Sequence, residues 1–278
     1  GTHNTGLGME TLYALTSGID NCIIGYQSGS KITTGCHNVA IGREALETED
    51  TGHRSVAVGH HALRVQNNDA NNENVAVGYG AGIAVNSGVG NTLLGAHAGH
   101  NISSGVKNVI VGFNCGVGSG GVGNSVVMGD SVTAVGGNNF TFGNGTLDSN
   151  IAFAATSITA PSDQRYKEDI ADATAGLAFI KDLRPVTFKW KKEKDVPSDH
   201  PSYVEGSDTR VINDYTNHGF IAQEVKTAID AHSEIKDGFD MWSEQGSGGR
   251  QRLGPSSLIP MLVKAIQELE ARIAVLEG

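Results

Sequence analysis

Through residues 1–150 the apolar residues come in short blocks, each opened by Asn or Ser and closed by Gly, with aliphatic, small and aliphatic residues between. The clear copies are Asn21-Cys22-Ile23-Ile24-Gly25, Asn38-Val39-Ala40-Ile41-Gly42, Ser55-Val56-Ala57-Val58-Gly59, Asn74-Val75-Ala76-Val77-Gly78, Asn91-Thr92-Leu93-Leu94-Gly95 and Asn108-Val109-Ile110-Val111-Gly112. Asn4 to Gly8, Ser125 to Gly129 and Asn139 to Gly143 are weaker copies. The closing glycines stand at 8, 25, 42, 59, 78, 95, 112, 129 and 143, so the steps are 17, 17, 17, 19, 17, 17, 17 and 14. Each block predicts a short β-branched strand, and the Gly behind it permits a tight corner at positive φ. A second small-residue corner (Ala81-Gly82, Ala98-Gly99, Cys115-Gly116) follows a few residues on. One such unit cannot bury a core, so the units must stack as a solenoid. Each strand offers only two or three apolar side chains, and aromatics make up 6% of the chain. A lone coil is therefore expected to bury little and several copies around a shared axis much more, which predicts a homotrimeric β-prism or β-roll over residues 1–149.

The pattern changes near residue 150. Residues 150–161 lack the repeat and predict a connecting strand or linker; residues 162–278 predict an α+β domain ending in a long helix. Within it, the Ala-rich stretch from Ala171 to Asp182 reads as a helix and Leu183 to Trp190 alternates like a strand. His218 to Val225 reads as a strand running into a helix. The last helix, about 256–277, places Ile259, Leu262, Ile266, Leu269, Ile273 and Leu276 at steps of 3 and 4, a heptad seam without charge. Arg272 and Glu277 fall at g and e, where they can pair between chains. Ile at a with Leu at d favours parallel dimers, against the trimer, but fewer than three heptads determine oligomeric state weakly. The other reading is a helix lying on its own domain.

Composition agrees with this division. Of 38 glycines, 29 lie in residues 1–150 and 9 beyond; the first 150 residues carry 10 acidic and 5 basic side chains, the remaining 128 carry 20 and 15. The net charge, 20 − 30 = −10, disfavours binding to nucleic-acid phosphates, which requires clustered Lys and Arg. No apolar run approaches the length of a membrane span, so no membrane insertion is expected. The first residues, GTHNTGLGME, carry no secretory-signal pattern. Three cysteines, Cys22, Cys36 and Cys115, are too few and odd for a disulfide framework and read as small apolar fillers.

Two features of the repeats invite a functional reading. His60-His61 with His97 and His100 are metal-ligand types, but no Cys or acidic partner recurs in phase, so they read as surface polar residues. The recurring Asn column reads as satisfying backbone groups at corners. No cofactor and no metal is called for. A glycan-binding surface is not excluded by the sequence. In the second half, Ser162-Asp163-Gln164-Arg165-Tyr166-Lys167-Glu168-Asp169-Ile170 supplies S-D-x-R-x-K-x-x-I. Alone, this segment reads as a polar helix start with a Ser cap.

Three further stretches accompany it: Leu183-Arg184-Pro185-Val186-Thr187-Phe188-Lys189-Trp190, His218-Gly219-Phe220-Ile221-Ala222-Gln223-Glu224-Val225, and Ser257 to Leu269. In this order, residues 160–278 closely resemble the C-terminal intramolecular chaperone auto-processing domain of phage tailspikes, tail fibres and neck appendages, also found in endosialidases and in a eukaryotic membrane-tethered transcription factor. The repeats, over residues 1–145, resemble trimeric autotransporter adhesin heads and phage fibre shafts. The first resemblance implies a domain that assembles three chains, helps fold the fibre and cuts itself off just before the motif serine. That bond is Pro161–Ser162, with Ser162 as nucleophile and Lys167 as base. Asp163 and Arg165 read as a supporting cap or ion pair, with His218, Gln223 and Glu224 as further motif residues. Glu168 either holds the lysine charged or faces solvent. The implied partners are the other two copies, a host-surface glycan or protein receptor and other virion tail proteins. The implied location is the virion, after assembly in host cytoplasm and release of the chaperone domain.

The chemistry sets its own conditions. A serine hydroxyl needs a base to take its proton, and lysine, with an ordinary value near 10.4, is protonated at neutral pH. Burial brings such a lysine to roughly 7–8, at a cost of about 4 kcal/mol. That cost is met only in a dry, assembled site, so cleavage is expected to await the trimer. Five residues along one helix or strand put Ser162 and Lys167 on different faces. Either a turn lies between them or the partner comes from a neighbouring chain. The competing reading is a bacterial trimeric adhesin head with a non-catalytic trimerisation domain; such an adhesin is expected to end in a membrane-anchoring barrel, whereas the last segment here reads as a helix.

Overall fold

The computed structural model describes residues 1–160, 162–244 and 249–277, and falls into two units, Gly1–Tyr166 and Lys167–Gly278. In the first unit the repeat blocks become strands β1 (Thr5–Leu7), β2 (Cys22–Ile24), β3 (Val39–Ile41), β4 (Val56–Val58), β5 (Val75–Val77), β6 (Thr92–Leu94), β7 (Val109–Phe113), β9 (Ser125–Asp130) and β11 (Asn139–Asn144). They pair in parallel, in chain order, so that each repeat position stacks on itself: Cys22 on Val39, Val39 on Val56, Val56 on Val75. The short strands β8 (Gly116–Val117) and β10 (Thr133–Ala134) pair separately, and β12 (Asp148–Ala152) ends the main sheet antiparallel to β11. This is a β-solenoid wound from one chain.

Its core lies inside the coil. The central strand residues Ile23, Ala40, Ala57, Ala76, Leu93, Ile110 and Val127 are all fully buried. A lone coil therefore buries more than its composition suggested, and the expectation of little burial is corrected. The reason is size complementarity within and between coils. Where the strand centre is small, as at Gly6, Ala40 and Ala57, a leucine six residues later (Leu12, Leu46, Leu63) fills the space; where it is Ile23 or Leu93, that later position is Gly29 or Gly99. At small Ala76 the later position is Gly82, and Leu63 and Leu93 of the neighbouring coils reach into the space. A Cβ at Gly99 would come within 2.6 Å of Leu93. The leucines hold left-handed φ of 51°, 52° and 49°, a conformation costing about 1–2 kcal/mol each, which burial of the side chain offsets.

The outer corner is equally constrained. Gly25, Gly42, Gly59, Gly78 and Gly95 sit at φ of 128–138°, and a Cβ on any of them would fall 2.3–2.5 Å from the next coil's glycine carbonyl oxygen. Behind the strands runs the buried Asn ladder. Asn21 Oδ1 accepts the Asn38 N–H (3.0 Å) while Asn21 Nδ2 donates to Gly35 O (2.9 Å), and Asn74, Asn91 and Asn108 repeat the arrangement. The ladder breaks at Ser55, in the 19-residue step. There Gln66 Nε2 donates to Ser55 Oγ (2.9 Å) and to buried Glu49 (2.9 Å), and Gln66 Oε1 accepts from Asn74 Nδ2 (2.8 Å). Glu49 also accepts from Gly52 N (2.7 Å) and Asn72 Nδ2 (2.8 Å); burial holds its carboxyl above the usual range.

The second unit is built from α1 (Leu177–Asp182), β13 (Val186–Phe188), β14 (Asn217–Gly219), α2 (Ala222–Ala231), β15 (Trp242–Glu244), β16 (Gln251–Leu253) and α3 (Leu258–Glu277). Its core gathers Phe179, Val225, Ile229, Met241 and Leu258. The helix expected from Ala171 begins only at Leu177, after Gly176 in a non-helical conformation, and the Leu177 N–H donates to a carboxylate from α3. Among the described residues no helix is long and apolar enough to cross a membrane.

Candidate functional site

The S-D-x-R-x-K segment is organised by Asp163. Its carboxylate accepts the backbone N–H of Arg165 (2.9 Å) and the Arg165 guanidinium through Nε (3.0 Å) and Nη2 (2.6 Å), while its carbonyl accepts the N–H of Tyr166 (3.1 Å). These bonds wind Gln164–Tyr166 into one 3-10 turn. The guanidinium holds the Asp163 carboxyl below the usual range, and the carboxylate raises Arg165 in return. Ser162 precedes the turn and Lys167 follows it; both are exposed. A turn thus occupies the interval that regular helix or strand left unresolved. Pro161, the other side of the expected scissile bond, lies outside the described residues.

The downstream motif residues meet across the second unit. Thr187 pairs with His218 in the antiparallel β13–β14 ribbon, which leaves His218 exposed. Glu224 in the first turn of α2 receives Arg184 through Nε (3.0 Å) and through a second, shorter bond from Nη2, so the guanidinium holds the Glu224 carboxyl below its usual range. Arg184, whose partnership with Glu224 forty residues on the sequence did not reveal, is the physical link between two of the motifs. Gln223 is exposed, and its carbonyl accepts the Thr227 hydroxyl (3.0 Å). The fourth motif forms α3, whose Leu258 and Ala265 are buried while Ile259, Leu262, Ile266, Leu269, Ile273 and Leu276 are 43–85% exposed. The helix therefore lies on its own domain through one face and leaves its heptad seam exposed among the described residues.

Among the described residues no group of three His, Cys, Asp or Glu is placed to hold a metal. In the repeats, His60 lies parallel to Tyr79 at 5.2 Å, Tyr79 meets His97 edge-on at 5.1 Å, and His100 Nδ1 lies 3.0 Å from the His97 carbonyl.

Residues 162–233 match the family model described as the chaperone of endosialidase, which is also classed as a peptidase. The match begins at Ser162 and includes the Asp163–Arg165 turn, Arg184, His218 and Glu224. It supports an intramolecular chaperone domain of the phage-tail kind in the C-terminal part, and that family implies autoproteolytic serine peptidase activity in general. No curated protein and no solved structure matches the chain.

Proposed function

We propose that this chain is a phage fibre or tailspike segment whose C-terminal domain draws three copies together, guides the solenoid's assembly and then cuts the Pro161–Ser162 bond. The observation that carries this reading is the family match beginning at Ser162. Ser162 Oγ attacks the Pro161 carbonyl carbon and passes its proton to Lys167 Nζ. The Pro161–Ser162 C–N bond breaks as Lys167 returns that proton to the departing Ser162 nitrogen, leaving an ester on Oγ. Water hydrolyses the ester to a Pro161 carboxylate and restores the hydroxyl. The Asp163–Arg165 turn positions the segment without touching the reacting atoms.

Assembly has two supports. The α3 seam is uncovered, and on the solenoid the outward strand residues Ile41, Val77, Leu94, Val109 and Met128 leave an apolar sheet face at 37–48% exposure. Each face is open to other copies of this chain, and three heterologous contacts between copies close a ring. Lys167 is exposed in one chain; packing of copies would shut the segment away from water, which makes cleavage follow assembly. Released from the domain, the fibre persists through a barrier to unfolding. The test is Lys167→Ala, which is expected to stay uncut while reaching the same oligomeric mass as the uncut wild type; cleavage at the wild-type rate would remove Lys167 from its role.

A further inference from the structure

The asparagines of the solenoid fall into two chemical situations. Those of the ladder are buried, and the N–H that follows each is committed to the next coil: Cys22 N donates to Asn38 O (2.9 Å), Val39 N to Ser55 O (2.9 Å) and Val75 N to Asn91 O (2.8 Å). Asn144 differs on each count. It ends β11, is exposed, and is the one asparagine in the sequence followed by glycine. In the turn to β12 its Oδ1 accepts two backbone N–H groups, from Thr146 (3.0 Å) and Leu147 (2.8 Å), while its own N–H donates to Leu147 O (2.8 Å). Among the described residues, neither Asn144 Nδ2 nor the Gly145 N–H donates a hydrogen bond. The turn also keeps position 145 bare, since a Cβ there would stand 3.0 Å from both Cβ and O of Ser131.

We infer that Asn144 is a site of spontaneous self-modification, where the side chain closes on Gly145 to a cyclic imide that opens to aspartate or isoaspartate. The Gly145 nitrogen bonds to Asn144 Cγ, and the electron pair of the Cγ–Oδ1 double bond moves onto Oδ1. The two N–H groups that already hold Oδ1 face the charge that develops there, as the donors of an oxyanion hole do. Collapse of this adduct breaks the Cγ–Nδ2 bond, and Nδ2 leaves as ammonia with the proton from the Gly145 nitrogen. Water then adds across one of the two imide C–N bonds. Breaking the bond to Cγ gives aspartate; breaking the bond to the main-chain carbonyl carbon gives isoaspartate. No co-reactant besides water enters.

The fold gives the product a consequence. Asn144 lies in register with Asp130 of β9, and Asp148, opposite Gly143, begins β12. A carboxylate at 144 therefore joins two others, and like charges opposite each other weaken a strand pair. Isoaspartate further lengthens the main chain by one carbon inside the turn that Thr146 and Leu147 shape. Both changes loosen β12, the strand that ends the main sheet.

The test incubates the full chain, kept whole by Ser162→Ala, in mildly alkaline buffer, both folded and unfolded in urea. Peptide mass mapping and an isoaspartate-specific methyltransferase read the products. In the folded chain Asn144 is expected to exchange NH2 for OH at least about tenfold faster than any ladder asparagine, and no more slowly than in the unfolded chain, because the turn holds Oδ1 by two donors. Thr146→Pro, which removes one of those donors and keeps the Asn-Gly pair, is expected to slow the folded reaction and leave the unfolded rate unchanged. Thr146→Ala, which keeps both donors, is expected to react as wild type and shows whether the side chain matters. Asn144→Asp supplies the product directly and is expected to speed amide hydrogen exchange in β12. Slower reaction of Asn144 in the folded chain than in the unfolded one, modification spread evenly over the exposed asparagines, or an unaltered folded rate in Thr146→Pro overturns the site. Unaltered exchange of β12 in Asn144→Asp overturns the consequence drawn from it.

Discussion

The Glu268 carboxylate accepts the backbone N–H of Leu177 at 2.9 Å, joining residues 91 apart. Gly176 permits the approach, because a Cβ there would lie 2.6 Å from Glu268 Oε1. A helix N-terminus presents unpaired donors and a positive dipole end, so α3 caps α1 from outside the chain's own turn. This contact fixes which face of α3 packs within the domain and which stays exposed.

Glu268→Ala should therefore destabilise the second unit by about 1 kcal/mol, the usual worth of a cap, while leaving the seam intact. Chemical denaturation of a Ser162→Ala background, which keeps the chain whole, measures it. An unchanged midpoint would remove the cap from the account.

Leu269→Asp should do the reverse. The side chain is exposed on the seam, so the second unit should keep its helical signal by circular dichroism while light scattering drops to the monomer. Ala265→Asp, on the buried face, should unfold the unit. If Leu269→Asp leaves the oligomer unaltered, the seam is not an interface.

In the solenoid, Leu63→Ala should cost about 2–5 kcal/mol, because the leucine is fully buried opposite small Ala57 and its removal leaves a cavity. Leu63→Gly relieves the left-handed strain yet leaves the larger void, so it should also destabilise. A stabilised Leu63→Gly would mean that strain outweighs packing at this corner.

The repeat and the fold class were legible because closing glycines and alternating apolar residues have a direct backbone meaning, and the Asn column behaved as corner chemistry dictates. The pairing of Leu12, Leu46 and Leu63 with small strand centres was not legible, since leucine at positive φ is disfavoured by itself and becomes favourable only through burial across the coil. Buried Glu49 and Gln66 escaped notice for a similar reason. They read as loop polarity, yet they occupy the column that Ile32 and Val85 fill in other coils and replace the missing Asn at Ser55. Of the candidate site, the motif residues were readable one by one; the Arg184–Glu224 bond that ties two stretches together depends on tertiary placement.

A pH dependence follows from His232, which is 12% exposed and bonded through Nε2 to Asp182 (2.8 Å) and through Nδ1 to Glu234 (3.1 Å). The Asp182 bond, opposed by desolvation and aided by Glu234, raises its pKa. A raised folded value means stabilisation fully present below the unfolded value of about 6.5 and lost as pH climbs through the folded one. The second unit's thermal midpoint should fall across that window. His232→Gln should flatten the dependence and cost about 1 kcal/mol at pH 6; a slope that survives the substitution would assign it to other groups.

The central claim, that the chain cuts itself before Ser162, is tested most directly by the intact mass of protein purified without added protease. Wild type is expected to yield two species, residues 1–161 and 162–278, the second beginning at Ser162, while Ser162→Ala remains one polypeptide of 29.0 kDa less one oxygen atom. Equal processing of both proteins, or a wild-type chain that stays whole once assembled, would contradict it.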